Sequence, residues 1–189
     1  MRKLIIKLLL LIVIFCTTES QAKFHVELDY RYSLGIRERK IGSDLYLDQY
    51  NIFSHMVHFA ALYNFTPRIS AGIGVGIVGD KHRGAFPLYA TFRYRPIKQH
   101  LNAYVFTDLG YAPASRSTKE ISHGWMWNAG VGYTLMFRRH FGLNFQLCYN
   151  MQQYAGVGIT LRNIYTDQLE HVKSNNLCHS LGFGIGLVF

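Results

Sequence analysis

The chain has 189 residues, 15% of them aromatic, with 17 glycines, only 4 prolines and a formal net charge of +9. The length fits one domain of ordinary size, and a composition rich in Tyr, Phe and other strand formers argues against a helical bundle. A basic balance is also typical of nucleic-acid-binding proteins, but the first segment sends the chain away from nucleic acid.

In that segment Arg2, Lys3 and Lys7 precede the apolar run Leu8 to Cys16, and Ser20-x-Ala22 supplies the small residues of a cleavage site. Residues 1–22 are expected to form a signal peptide and residues 23–189 the mature domain. The apolar run is far shorter than the roughly 20 residues that a spanning helix needs. Phe15 stands ahead of Cys16, where a lipoprotein signal would place a small residue, so lipid attachment is not expected. Removing three basic residues and one acid leaves a mature charge of +7. Anionic lipopolysaccharide is the expected counter-charge, and a generally solvated basic surface is the alternative.

The mature sequence alternates apolar and polar residues with the period of a strand, and no segment has a helical period. The first strand sets Phe24, Val26, Leu28, Tyr30, Tyr32 and Leu34 against His25, Glu27, Asp29, Arg31 and Ser33. A second runs from Phe53 to Phe65 and ends in the turn Thr66-Pro67-Arg68. The third, Ile69 to Val78, alternates branched apolar residues with Ser70, Gly72, Gly74 and Gly76, which implies a crowded second face. The fourth, Leu88 to Arg95, places Tyr89, Thr91, Arg93 and Arg95 on that second face, before a turn at residues 96–100.

The fifth strand, Leu101 to Tyr111, is ambiguous in parity, and Asp108 is taken to mark its inward face. The sixth, Trp125 to Phe137, puts Asn128, Gly130, Gly132 and Thr134 inward, and the seventh, Phe141 to Met151, does the same with Gly142, Asn144, Gln146, Cys148 and Asn150. The eighth closes the chain with Leu181, Phe183, Ile185, Leu187 and Phe189 outward and Ser180, Gly182, Gly184 and Gly186 inward.

Short turns near 66–68, 96–100 and 138–140 alternate with long polar segments near 36–51, 79–86, 112–124 and 152–176. Transmembrane barrels have this asymmetry, with short periplasmic turns and longer extracellular loops. Aromatic residues gather near the strand ends, Phe53, Tyr111, Trp125 and Trp127 at one, Phe65, Tyr94, Phe137 and Phe141 at the other, as interfacial girdles do. The expected fold is all-β: an eight-stranded antiparallel transmembrane β-barrel. A soluble sandwich would have to bury eight apolar strand faces against a Gly- and polar-filled second face that makes a poor core.

The strand motifs Pro87-Leu88-Tyr89-Ala90-Thr91-Phe92-Arg93-Tyr94, Leu109-Gly110-Tyr111, Gly130-Val131-Gly132-Tyr133 and Gly184-Ile185-Gly186-Leu187-Val188-Phe189 resemble those of the OmpA/OmpX-type small outer-membrane barrels, and more particularly the outer-membrane barrel proteins of the Bacteroidetes. The resemblance covers the mature chain. It implies the outer membrane of a Gram-negative bacterium, contact with outer-membrane lipids and lipopolysaccharide, and Phe189 as a C-terminal signal read by the barrel-assembly machinery. It implies an architecture and hardly any activity.

Lipid A deacylases share this size and location and use a His-x-Ser motif on a late strand, where this chain reads Leu147-Cys148-Tyr149-Asn150. No catalytic residue and no cofactor is therefore assigned, and a structural or surface-interaction role is expected ahead of a lipid-modifying enzyme or a small-solute channel. His55 and His58 fall on opposite faces of one strand, so no metal site is assigned. Glu27, Asp29, Arg31, Arg93, Arg95 and Asp108 all project to the inferred lumen, where a structural ion-pair network is expected, with a polar conduction path as the alternative. Charged loop residues are explained by solvation, and no extracellular ligand is named. Loss of Cys16 with the signal leaves Cys148 and Cys178, both on the inward parity of the last two strands. A register that pairs Phe137 with Phe189 would oppose them as a disulfide, with two unbridged thiols as the alternative.

Overall fold

The computed structural model describes residues 24–40, 46–47, 53–79, 84–97, 99–113, 124–138, 141–162 and 169–189. The expected signal peptide, residues 1–22, lies outside them. The elements in chain order are β1 (Phe24–Lys40), β2 (Tyr46–Leu47), β3 (Phe53–Asn64), β4 (Ile69–Gly79), β5 (Gly84–Ala85), β6 (Leu88–Tyr94), β7 (Ala103–Ala112), β8 (Gly124–Arg138), β9 (Phe141–Arg162) and β10 (Leu169–Val188). Eight of these are the barrel staves. The two-residue pieces β2 and β5 pair only with β1 and β4.

Every neighbouring pair is antiparallel, and β10 pairs with β1 to close the sheet on itself. Closure leaves no edge, which a spanning sheet requires because lipid offers no hydrogen-bond partner to an open one. Stepping from Phe24 across successive ladder partners, through Tyr63, Ala71, Phe92, Thr107, Ala129, Tyr149 and Leu181, returns to β1 at Leu34, a stagger of ten residues. With about 3.4 Å rise per residue and about 4.8 Å between strands, that stagger tilts the staves about 41° from the axis, within the usual range for closed barrels.

The strand period sorts side chains onto two faces. In β6 the alternation is unbroken: Leu88, Ala90, Phe92 and Tyr94 are exposed, while Tyr89, Thr91 and Arg93 are buried. Outside, large apolar side chains stand bare on every stave, with Ile73 68%, Leu109 58%, Leu147 57% and Phe183 56% exposed. Inside, Glu27, Asp29, Arg31, Arg93, Asp108, Asn128, Asn144 and Asn150 are all buried. An apolar exterior around a polar interior is the arrangement of a membrane barrel and the inverse of a soluble one. On β7, Tyr104 and Phe106 join Asp108 on the buried face, so the charged residue does mark the inward parity there.

Large inward rings take the room that glycines leave. Tyr89 has Gly74 and Gly110 as its two cross-strand partners, and Tyr104 has Gly132. A Cβ at Gly110 would lie 2.7 Å from the Tyr89 Cα, and one at Gly132 would meet the Tyr104 ring.

Two sequence expectations are corrected. The segment 152–176 is not mainly loop: β9 continues to Arg162 and β10 begins at Leu169, paired from Arg162↔Leu169 down to Gly142↔Val188. The expected opposition of Cys148 and Cys178 fails as well. β9 starts at Phe141, so the end of β10 is laid against Phe141 rather than Phe137; Cys148 then faces Gly182 and Cys178 faces Gln152. Four residues along the strand separate the two cysteines, about 14 Å at the antiparallel rise, beyond the reach of a disulfide, and both are thiols.

Candidate functional site

Among the described residues, the polar lumen is where the fold gathers buried charge. Glu27 and Arg93 come from β1 and β6, on different sides of the barrel, and meet across it: Arg93 Nη1 donates to Glu27 Oε1 at 2.5 Å and Nη2 to Oε2 at 2.6 Å. This two-pronged geometry fits the planar guanidinium to the carboxylate. The Arg93 guanidinium also lies 4.7 Å from the centre of the Tyr104 ring. His25, nearer the turn end, is 3.5 Å from Glu27.

Amides tie this pair to the charges above it. Asn144 donates from Nδ2 to both Glu27 Oε2 and Asp29 Oδ1, each at 3.2 Å, and accepts at Oδ1 from the Tyr104 hydroxyl at 2.7 Å. Gln146 donates to Asp29 Oδ2 at 3.2 Å and accepts from Arg31 Nη2 at 2.7 Å. Arg31 then lies 3.8 Å from Asp108, which accepts from Asn128 at 3.3 Å. Arg31 also donates to Asn150 at 3.4 Å, and Asn150 donates to Ser33 at 3.0 Å. Polar side chains thus run without a gap from His25 at one end to Ser33 near the other. Three buried atoms, Arg31 Nε, Arg93 Nε and Thr91 Oγ1, have no partner among the described residues.

The structure brings five of the six expected lumen charges into this cluster. Arg95 is the exception: at the end of β6 it donates to Ser70 Oγ at 2.8 Å and to the Pro67 carbonyl at 3.5 Å rather than to a carboxylate. The connecting residues Tyr104, Asn128, Asn144, Gln146 and Asn150 were not singled out from the sequence. Their signal was present, since Asn128, Asn144, Gln146 and Asn150 occupy inward parity on the sixth and seventh strands. Neutral amides announce no partner in a sequence, whereas charges do.

His55 and His58 point to opposite faces. His55 is outside, 2.6 Å from the Tyr30 hydroxyl, and His58 is buried inside, 3.1 Å from the Tyr89 hydroxyl. Among the described residues no three His, Cys, Asp or Glu side chains are grouped to hold a metal. At the position of the deacylase motif, Cys148 faces the lumen, its thiol 3.2 Å from Asn150 Oδ1 and 3.6 Å from the Gly182 carbonyl, while Tyr149 faces out and hydrogen-bonds His179. Phe189 closes the seam, exchanging backbone hydrogen bonds with Val26 at 2.8 and 3.0 Å, with its ring 5.8 Å from that of Phe141.

No protein-family model and no curated protein matches the sequence. Among solved structures, the chain is similar to the outer membrane protein AlkL in DMPC bilayers (16% identity over 92% of this chain and 93% of that one, TM-score 0.48). It is also similar to Neisserial surface protein A, with 12% identity over 87% of this chain and 96% of that one and a TM-score of 0.49. OprG from Pseudomonas aeruginosa aligns with 11% identity over 88% and 95% of the two chains and a TM-score of 0.41.

Proposed function

We propose that this chain is an integral outer-membrane barrel of a Gram-negative bacterium whose lumen is a filled structural core, and whose interactions are made by its outer face and its rims. The observation that carries this reading is the Glu27–Arg93 pair spanning the lumen, with Asn144, Asp29, Gln146 and Arg31 stacked above it. An eight-stranded barrel has an interior just wide enough for its own side chains, and here those side chains bond one another across it. The role is structural or one of surface interaction rather than catalysis. Contact with outer-membrane lipid and lipopolysaccharide, and recognition of Phe189 by the barrel-assembly machinery, belong to the same proposal.

In this reading the connections after β3, β6 and β8 face the periplasm and those that follow β1, β4, β7 and β9 face outward. The test uses a background with Cys148 and Cys178 replaced by Ser. A cysteine introduced at Ser117, in the β7–β8 connection, should react with an impermeant maleimide in intact cells, and one at Gln99 should not. Reaction at Gln99 with protection at Ser117 would reverse the orientation. Comparison of lipid A from a deletion strain and its parent tests the non-enzymatic role: an acylation difference restored by the gene would overturn it.

A further inference from the structure

Arg31 and Asp108 form a buried ion pair that does not close. They are 2% and 3% exposed, yet Arg31 Nη2 and Asp108 Oδ2 stand 3.8 Å apart, too far for a hydrogen bond. Among the described residues Asp108 accepts one side-chain hydrogen bond, from Asn128 at 3.3 Å. Two donors are buried beside it without an acceptor: Nε of the Arg31 guanidinium, and the hydroxyl of Thr91, which is the ladder partner of Asp108. Buried donors are nearly always bonded to protein or to ordered water. A carboxylate short of donors and donors short of an acceptor therefore meet at one level of the lumen.

That level also has room. Gly72, the partner of Thr91 on β4, adds no side chain to it. On the next inward rung toward the loop end, Tyr89 lies opposite Gly110. On the next toward the turn end, Phe106 lies opposite Arg93, with Arg31 Cζ 5.6 Å from the centre of the Phe106 ring. A ring on each side and a glycine between them leave a small polar chamber at Arg31, Thr91 and Asp108. Charge selects what fills it. The lumen cluster sets three carboxylates, Glu27, Asp29 and Asp108, against two guanidinium groups, Arg31 and Arg93. An anion would add to the negative excess, and a cation would face the N–H of Arg31. The occupant has to accept from two donors and donate to a carboxylate.

We infer that this chamber is a binding site for one water molecule, which accepts hydrogen bonds from Arg31 Nε and the Thr91 hydroxyl and donates one to Asp108, so that the pair linking β1 to β7 is joined through solvent. The inference deepens the reading of the lumen as a filled core and rests on it. Buried water ordinarily makes about three hydrogen bonds to polar groups that lack other partners. Such a bridge is enthalpically nearly as good as a direct hydrogen bond.

The experiment is proton-detected solid-state NMR of the isotope-labelled protein in lipid bilayers, reading magnetisation transfer from water to the arginine Nε–H groups. Arg31 Nε–H should show a water cross-peak. Thr91→Leu, which fills the chamber, should abolish it, and Ile73→Leu, on the outer face of β4, should leave it as in the parent. Retention of the folded, heat-modifiable band on gels by both variants separates loss of the site from loss of the filled barrel. No water cross-peak at Arg31 in the parent, or an unchanged one in folded Thr91→Leu, would overturn the assignment. So would an Arg31 Nε–H signal that shifts when bromide replaces chloride in the buffer, since that places an anion in the chamber. The parent spectrum and the halide exchange decide the matter even where Thr91→Leu does not fold.

Discussion

Glu27 and Arg93 show why buried charge survives in this lumen. Taking either ion out of water is expensive, and the pair persists because each prong is bonded and Asn144 takes up a further lone pair of Glu27. Removing one partner leaves the other buried and uncompensated. Glu27→Gln should therefore destabilise the folded barrel by about 3 to 5 kcal/mol, read from urea unfolding in lipid vesicles. The double variant Glu27→Met, Arg93→Met should recover most of that loss, because it removes both charges together. A Glu27→Gln variant as stable as the parent would show that the pair is not sealed from water. At Cys148 and Cys178 the register predicts two thiols, so the unfolded, non-reduced mature protein should take up two alkyl groups. A two-proton mass deficit restored by reduction would contradict the four-residue offset.

Strands are legible here to the extent that their two faces differ in chemistry. β6 was readable almost to the residue because Tyr89, Thr91 and Arg93 contrast with Leu88, Ala90 and Phe92. β9 and β10 are longer than the alternation suggests because polar runs on both faces, Gln152-Gln153 and Ser174-Asn175-Asn176, interrupt it there, although Val157, Ile159 and Leu161 resume it against Gly158, Thr160 and Arg162. Their pairing nevertheless runs on to Arg162↔Leu169, with one register shift between Ser174 and Asn175. Register was the other weak point, since parity fixes which face a cysteine takes but not which residue it opposes. The lipid face itself is firmly marked. Val131→Arg, at the middle of β8, should cost about 2 to 4 kcal/mol, whereas Gln99→Arg, in an exposed turn, should cost almost nothing. Equal tolerance at Val131 and Gln99 in the same vesicle unfolding assay would remove the lipid from the outer wall.

At the scale of the whole molecule, closure, stagger and filling are linked. Eight staves with a ten-residue stagger enclose a bore that two inward tyrosines, the Glu27–Arg93 pair and a ladder of amides fill. Reconstituted in planar bilayers, the protein should pass no sugar-sized solute, and steady conductance of a large organic ion would refute the filled lumen. The charged interior was foreseeable from Glu27, Asp29, Arg31, Arg93 and Asp108 sharing one parity; Asn128, Asn144, Gln146 and Asn150 share the inward parity too, but which charges they join depends on which strands come together. For an apolar belt lying in lipid the protein carries its own reporters, because its two tryptophans, Trp125 and Trp127, both point outward at one end of the belt. In vesicles, tryptophan emission should be quenched by brominated lipids, more strongly when the bromines lie near the headgroups than at the chain ends, and should resist aqueous iodide. Efficient quenching by iodide with none from any brominated lipid would contradict the membrane barrel.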